Sequence, residues 1–126
     1  MRMTPQTKAT LQELKTRRHA SNLELLTALQ PTFPDISATT IHRITKRLVD
    51  EKQISMFMSP HDGSMLLDAN PVPHYHFICQ ACGKVRDIDL SVAIIDEIKK
   101  AAGISFRSES LIITGIKADC PYYKAP

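Results

Sequence analysis

The sequence predicts an α+β fold in two parts, because the pattern of apolar residues changes along the chain. Up to residue 67, three segments with apolar residues at three- and four-residue steps precede two short apolar runs around an Asp-Gly turn signal. From residue 74 onward, four short strand-like runs surround one helical segment. Two prolines in DANPVP, residues 68–73, favour extended backbone and indicate a hinge. The predicted domains are therefore 1–67 and 74–126.

Capping signals predict the first two helices. Thr4 and Pro5 supply an N-cap and a proline in the first helical turn. Ser21 and Glu24 form a capping box before a second segment rich in leucine.

A third helix and a hairpin complete the first part. Ser37 caps a helix whose apolar residues Ile41, Ile44 and Leu48 lie on one face. The runs ISMFM and MLLD then flank the turn-rich SPHDGS, which predicts a β-hairpin. Three helices followed by a hairpin are typical of the winged helix-turn-helix.

The second part predicts a small α/β domain. The runs HYHFIC, KVRDID, ISFRSES and LIITGIKA are expected to be strands, and a helix is expected from the Ser91 cap to Gly103. A domain of about 50 residues buries little apolar surface, so a metal ion, a dimer interface or both are expected to add stability.

Charge and cysteine content restrict the functional classes. Residues 1–67 hold nine Lys/Arg against six Asp/Glu, whereas residues 68–126 hold seven of each. The basic excess therefore falls in the part that carries the helix-turn-helix pattern. No apolar run is long enough for a membrane span and the first residues lack a secretory pattern, so a cytoplasmic protein is expected. Three cysteines then favour metal or redox chemistry over a disulfide framework.

The third helix is a candidate for DNA recognition, since this helix of a helix-turn-helix enters the major groove. Arg43 can donate two hydrogen bonds to guanine, and Lys46 and Arg47 suit phosphates. The predicted DNA-binding residues are Thr39, Thr40, His42, Arg43, Lys46 and Arg47. The alternative is an amphipathic helix whose basic face only meets water.

The stretch HYHFICQACGKVRD is the strongest metal-site candidate. His74 and His76 on one face of a strand lie about 6.6 Å apart along the chain, so both can reach one cation. Cys79 and Cys82 form a knuckle, and thiolates suit zinc whereas imidazole with carboxylate suits Fe(II), Mn(II) or Zn(II). The two pairs are therefore expected to serve different ions. The alternatives are a redox Cys-x-x-Cys and a merely polar strand face.

Over nearly its whole length the chain resembles the ferric-uptake-regulator family. The matching stretches are HAS before the second helix, ISATTIHR, the string HYHFICQACG, and the late TGI with Cys120. The resemblance implies a homodimeric, metal-dependent transcription repressor that binds palindromic double-stranded operator DNA and is not an enzyme. The alternative from another class is a zinc-stabilised interaction module without DNA binding.

The resemblance also implies a regulatory ion, Fe(II) or Mn(II), with Zn(II) also compatible. Its implied ligands are His19, Asp68, His74, His76 and Asp87. Aspartate at the two carboxylate positions is typical of the peroxide-responsive repressor branch, in which His19 and His74 would be the oxidised residues. An iron-, zinc- or manganese-uptake regulator of the same family is the alternative.

The sequence departs from the family at a second metal site. The family usually has two Cys-x-x-Cys pairs that hold a structural zinc, but the first member of the late pair is Lys117 here. Lysine is protonated at neutral pH and is a poor ligand. The structural zinc is either kept by Cys79, Cys82 and Cys120 with water or another side chain, or absent.

Overall fold

The computed structural model describes residues 3–72, 74–107 and 111–122. In chain order the elements are α1 (Pro5–Arg17), β1 (His19–Ser21), α2 (Asn22–Leu29), α3 (Ala38–Asp50), β2 (Ser55–Met58), β3 (Met65–Asp68), β4 (Tyr75–Cys79), β5 (Val85–Ile88), α4 (Val92–Ala102) and β6 (Ile112–Gly115). The mixture of helices and two small sheets confirms the predicted α+β class. Within the described ranges no helix combines the length and apolar character needed to traverse a bilayer.

The helices begin where the capping signals predict. The side chains of Thr4, Ser21, Ser37 and Ser91 each accept a hydrogen bond from a backbone N–H in the first turn of the helix that follows. At Ser21 the reciprocal bond from the Ser21 N–H to the Glu24 carboxylate completes the capping box at 3.0 Å. α4 ends at Gly103, whose φ of 66° is the left-handed conformation that favours glycine.

Contacts divide the chain into two compact units. The first comprises Met1–Met58 and Gly63–Val72, and the second comprises Ser59–Asp62 and Pro73–Pro126. The four residues Ser59–Asp62, which lie between β2 and β3 in sequence, therefore group with the second unit. Each unit is built around one three-stranded sheet.

The first unit packs three helices against an antiparallel sheet in the order β1-β3-β2. Its core is a single apolar cluster to which α1, α2 and α3 all contribute, including Leu14, Leu25, Ile41 and Leu48. The predicted apolar stripes on the helices are therefore the buried faces. The strand β1 was not predicted, because its three residues HAS carry one apolar side chain and offer no alternation to detect.

Asp68, the first residue of the stretch predicted as a hinge, belongs to a strand. It is the last residue of β3, where it pairs with His19 of β1 on one side and Ser55 of β2 on the other. The two prolines of residues 68–73 follow the end of β3 in the sequence. The predicted hinge residue Pro73 lies outside the described residues.

The second unit has the sheet order β5-β4-β6, with β4 central. β4 pairs antiparallel with β5 and parallel with β6. The predicted strand ISFRSES is wrong for residues 104–107, which form no strand, and residues 108–110 lie outside the described part. Of the apolar residues spaced three or four apart on α4, Ile95 is buried and Ile98 half-buried, whereas Val92 and Ala102 are exposed.

Candidate functional site

The polar face of α3 carries all six residues predicted to bind DNA. Five of them are exposed and Thr40 is half-buried. The Thr40 hydroxyl lies 3.0 Å from the Ser37 hydroxyl and so belongs to the N-terminal cap. Lys46 lies 3.1 Å from Asp50, and Arg47 lies 3.5 Å from Glu51. Such exposed pairs contribute at most about 1 kcal/mol each, so a phosphate can compete for both cations.

Two of the predicted regulatory ligands meet in the first unit. His19 and Asp68 are partners in the β1–β3 register, and His19 Nε2 lies 3.1 Å from Asp68 Oδ2. The other carboxylate oxygen, Oδ1, accepts a hydrogen bond of 2.8 Å from the Asn70 backbone N–H. Asp68 is fully buried, and a carboxylate is rarely buried in this way unless it is paired or binds a metal ion. The strand pairing fixes both side chains.

The other three predicted regulatory ligands meet in the second unit. His76 is opposite Asp87 in the β4–β5 register, and His74 directly precedes β4. Asp87 Oδ1 lies 2.9 Å from His74 Nε2 and 3.6 Å from His76 Nε2. The two imidazole rings are 4.3 Å apart between centroids. Three ligand atoms thus lie within 4.8 Å of one another.

The chemistry of these two groups fits a divalent transition metal. Imidazole nitrogen and carboxylate oxygen together suit Fe(II), Mn(II) or Zn(II), whereas Ca²⁺ and Mg²⁺ prefer oxygen alone. In the second unit, two imidazoles point their Nε2 atoms at the same carboxylate oxygen, an arrangement that one cation near all three would also satisfy.

The three cysteines form a separate cluster in the second unit. Their sulfur atoms lie within 4.8 Å of one another, with Cys79 and Cys120 buried and Cys82 half-buried. A hydrogen bond from the Lys117 backbone N–H, aided by those of Cys82 and Ala81, lowers the pKa of Cys79 to about 6 against the opposing effect of burial. Burial raises the pKa of Cys120. The knuckle therefore stabilises a thiolate at Cys79, the form that binds metal.

His61 is a feature of this knuckle that sequence analysis missed. Its Nδ1 lies 2.8 Å from the Gln80 carbonyl oxygen, and its ring covers Gly83. A Cβ at Gly83 would lie 2.7 Å from His61 Cδ2. The only sequence signal was a histidine within a turn-rich stretch, and nothing in that stretch indicates which residues the turn will contact.

Replacing Gly83 by alanine is expected to destabilise the second unit more than replacing Gly103 by alanine. Both glycines have positive φ, 74° and 66°, so each substitution costs about 1 kcal/mol of backbone strain. Only at Gly83 does the new methyl group also displace the His61 ring, whereas a Cβ at Gly103 meets nothing within 4 Å. Thermal unfolding of both variants measures the difference.

The control is the same pair of substitutions in a His61→Ala protein. In that protein the extra destabilisation at Gly83 is expected to vanish, so that the two alanine substitutions lower the stability by similar amounts. If the excess at Gly83 persists without the imidazole ring, the contact with His61 does not cause it.

Comparison with known proteins covers both units. The profile of the Ferric uptake regulator family matches residues 1–114. The peroxide-responsive repressor PerR of Staphylococcus aureus (strain USA300) is 35% identical over 103 residues, which cover 81% of this chain and 68% of PerR.

Solved structures share the fold. The ferric uptake regulator Fur of Helicobacter pylori superposes with a TM-score of 0.76 at 20% identity, covering 99% of this chain and 85% of that one. A zinc uptake regulator complexed with zinc and DNA superposes with a TM-score of 0.66 at 22% identity, covering 95% and 83%. The likeness confirms the predicted architecture, a winged helix-turn-helix domain before a small α/β domain. The chain belongs to the ferric uptake regulator family of transcription regulators.

Proposed function

We propose that this chain is a homodimeric repressor that binds palindromic operator DNA when a divalent ion occupies its His/Asp ligands. The observation that carries the proposal is the convergence of His74 and His76 on Asp87, with distances of 2.9 and 3.6 Å to one carboxylate oxygen. Three potential ligands at one point of a small sheet are difficult to explain by folding alone, because burying polar side chains together costs free energy unless they are paired or bind an ion.

The proposed regulatory ligands form two groups, His19 and Asp68 in the first unit, and His74, His76 and Asp87 in the second. The two groups are each held by strand pairing, and each contains imidazole beside carboxylate. The ion can act as a switch if it favours the arrangement of the dimer that binds DNA. A coupling free energy of only about 1–3 kcal/mol between metal binding and DNA binding is enough.

α3 supports the DNA-binding half of the proposal. Arg43 is exposed on the same face as the two cations Lys46 and Arg47, while Ile41 and Leu48 hold the opposite face in the core. A base contact from Arg43 would contribute about 1–3 kcal/mol of specificity, and the other two cations would hold phosphates. The zinc uptake regulator structure contains DNA, which supports the same role for this fold here.

Metal-dependent DNA binding tests the proposal. A duplex selected from a random-sequence library in the presence of Mn(II) is expected to contain two inverted half-sites. Fluorescence anisotropy should then show that chelation weakens binding to this duplex by roughly 5- to 150-fold. The panel should include Fe(II) and Zn(II), because a response to only one ion would identify the regulatory metal. Equal affinity with and without metal would contradict the proposal.

Arg43→Ala is the matched variant for the DNA contact. Arg43 is not among the His/Asp ligands, so Mn(II) binding should be unchanged while affinity for the selected duplex falls. A parallel loss of metal affinity would indicate that the substitution disturbed the fold instead.

We further propose that the repressor responds to hydrogen peroxide. Both carboxylate positions hold aspartate, and the PerR relative is named as peroxide-responsive. Fe(II), when bound, supplies the electrons that reduce peroxide at the site. His19 and His74 each place an imidazole nitrogen within 3.1 Å of a candidate carboxylate ligand, and the family resemblance assigns the oxidation to these two rings.

Peroxide treatment of the Fe(II) form is expected to add one oxygen atom to His19 or His74 and to release the DNA. Peptide mass spectrometry locates the added oxygen, with the Mn(II) form as the control that should stay unmodified. Release of DNA without oxygen on either histidine would rule out this route.

A further inference from the structure

The chain contains two turns of the same spacing at the ends of adjacent strands. In the first, Cys79 and Cys82 are three residues apart at the end of β4, and the Gly83 N–H donates to the Cys79 carbonyl oxygen at 2.8 Å. In the second, Lys117 and Cys120 have the same separation after β6, and the Cys120 N–H donates to the Lys117 carbonyl oxygen at 3.1 Å. Lys117 thus stands where a second knuckle would have its first cysteine.

Only three donors assemble between these turns. The sulfur atoms of Cys79, Cys82 and Cys120 form a group within 4.8 Å, and no His, Asp or Glu among the residues that the structure describes joins it. The side chains of Cys79 and Cys120 are buried and that of Cys82 is half-buried, so the group has one side open to solvent.

Lys117 stands at the sequence position of a fourth cysteine without being a metal ligand. Its side chain is only 12% exposed, unusual for lysine, and its Nζ lies 3.9 Å from a carboxylate oxygen of Asp119. A protonated amine has no lone pair for a metal. Three thiolates around a divalent ion leave one net negative charge, whereas four would leave two.

We propose that Cys79, Cys82 and Cys120 bind one zinc ion through three thiolates and leave the fourth position to a small exogenous donor. Structural zinc sites close all four positions with protein ligands, and sites with three protein ligands exchange the fourth. The family's four-thiolate site is in this chain an open and exchangeable one. Water, a free thiol or an imidazole fits the vacant position.

The second unit would then depend on the zinc concentration for its stability. Cys79 ends the central strand β4, and Cys120 follows β6, which pairs with β4 in parallel. One ion would therefore join the two segments of this small unit. Because zinc would bind the folded unit, its binding free energy adds to the free energy of unfolding. The unfolding temperature should therefore rise with the concentration of free zinc. This dependence is separate from the regulatory ion, which uses none of these ligands.

Cobalt(II) substitution tests the number of thiolates. The near-ultraviolet charge-transfer band reports only sulfur ligands, so cobalt at the His/Asp ligands does not contribute to it. We expect Lys117→Cys to give a band about one-third more intense than the unmodified chain, because it has four thiolates against three. Adding 2-mercaptoethanol anaerobically should raise the band intensity of the unmodified chain to that of Lys117→Cys. The band intensity of Lys117→Cys itself should not change.

Zinc release to a chelator provides the second measurement. We expect the unmodified chain and Lys117→Ala to release zinc at similar rates, and Lys117→Cys at least about tenfold more slowly, since it closes the site. The proposal is overturned if the unmodified chain gives no thiolate band. It is equally overturned if the band does not respond to added thiol, or if Lys117→Cys changes neither intensity nor release rate.

Discussion

Replacing His76 by alanine is expected to lower the affinity for Mn(II) by more than about 100-fold and to remove metal-dependent DNA binding at Mn(II) concentrations that saturate the unmodified chain. Loss of a partner that only orients a ligand typically costs 10- to 100-fold in metal affinity, so loss of a ligand itself should exceed that range. His76 is 4% exposed and is paired through its backbone with β5 on one side and β6 on the other.

Two comparisons separate loss of the ligand from loss of the fold. His61→Ala removes a different imidazole of the same unit, one that is not among the proposed ligands, and should leave Mn(II) affinity unchanged. Asp87→Asn keeps the side-chain shape but removes the charge, and should give an intermediate loss of affinity. Isothermal titration with Mn(II) measures all three proteins. Full Mn(II) affinity in a folded His76→Ala protein would exclude this residue as a ligand.

Replacing Leu25 by alanine is expected to destabilise the first unit by about 2–5 kcal/mol, a large fraction of the stability of a small domain. Leu25 is fully buried on α2 within the cluster that also contains Ile41 and Leu48 of α3. The loss combines the apolar surface no longer buried with the cavity left behind. Because α3 is held by this cluster, DNA affinity should fall with the folded fraction.

Leu23→Ala is the matched control for the core substitution. It makes the same chemical change on the same helix, but Leu23 is 71% exposed. The cost there should stay below about 0.5 kcal/mol. Urea unfolding followed by circular dichroism measures both variants, and similar losses at the two positions would contradict the assigned core.

The elements that local chemistry specifies could be predicted from the sequence. An N-cap hydroxyl precedes each helix and predicts where it begins. The apolar periodicity of α3 predicts which face is buried and hence which face can contact DNA. The ligand string from His74 to Cys82 was visible because its members are close in sequence. These features depend on residues within a few positions of one another.

The features that were missed depend on pairing between distant segments. β1 exists because His19 and Asp68, far apart in sequence, are opposite each other in a sheet. The prolines after Asp68 suggested a hinge, but the strand pairing to its two neighbours extends through that residue. The contact of His61 with Gly83 similarly joins a turn to a knuckle nineteen or more residues away. No local pattern carries such information.

The grouping of Ser59–Asp62 with the second unit bears on any attempt to separate the two halves by truncation. A fragment that starts after residue 73 would lack the imidazole that covers Gly83, leaving the glycine side of the cysteine knuckle bare. The fragment that ends at residue 73 would keep Ser59–Asp62 but lack the rest of the second unit, with which these four residues group. A protease that cuts once after residue 72 would thus yield one piece that contains the whole first unit and a second piece that lacks four residues of its own unit.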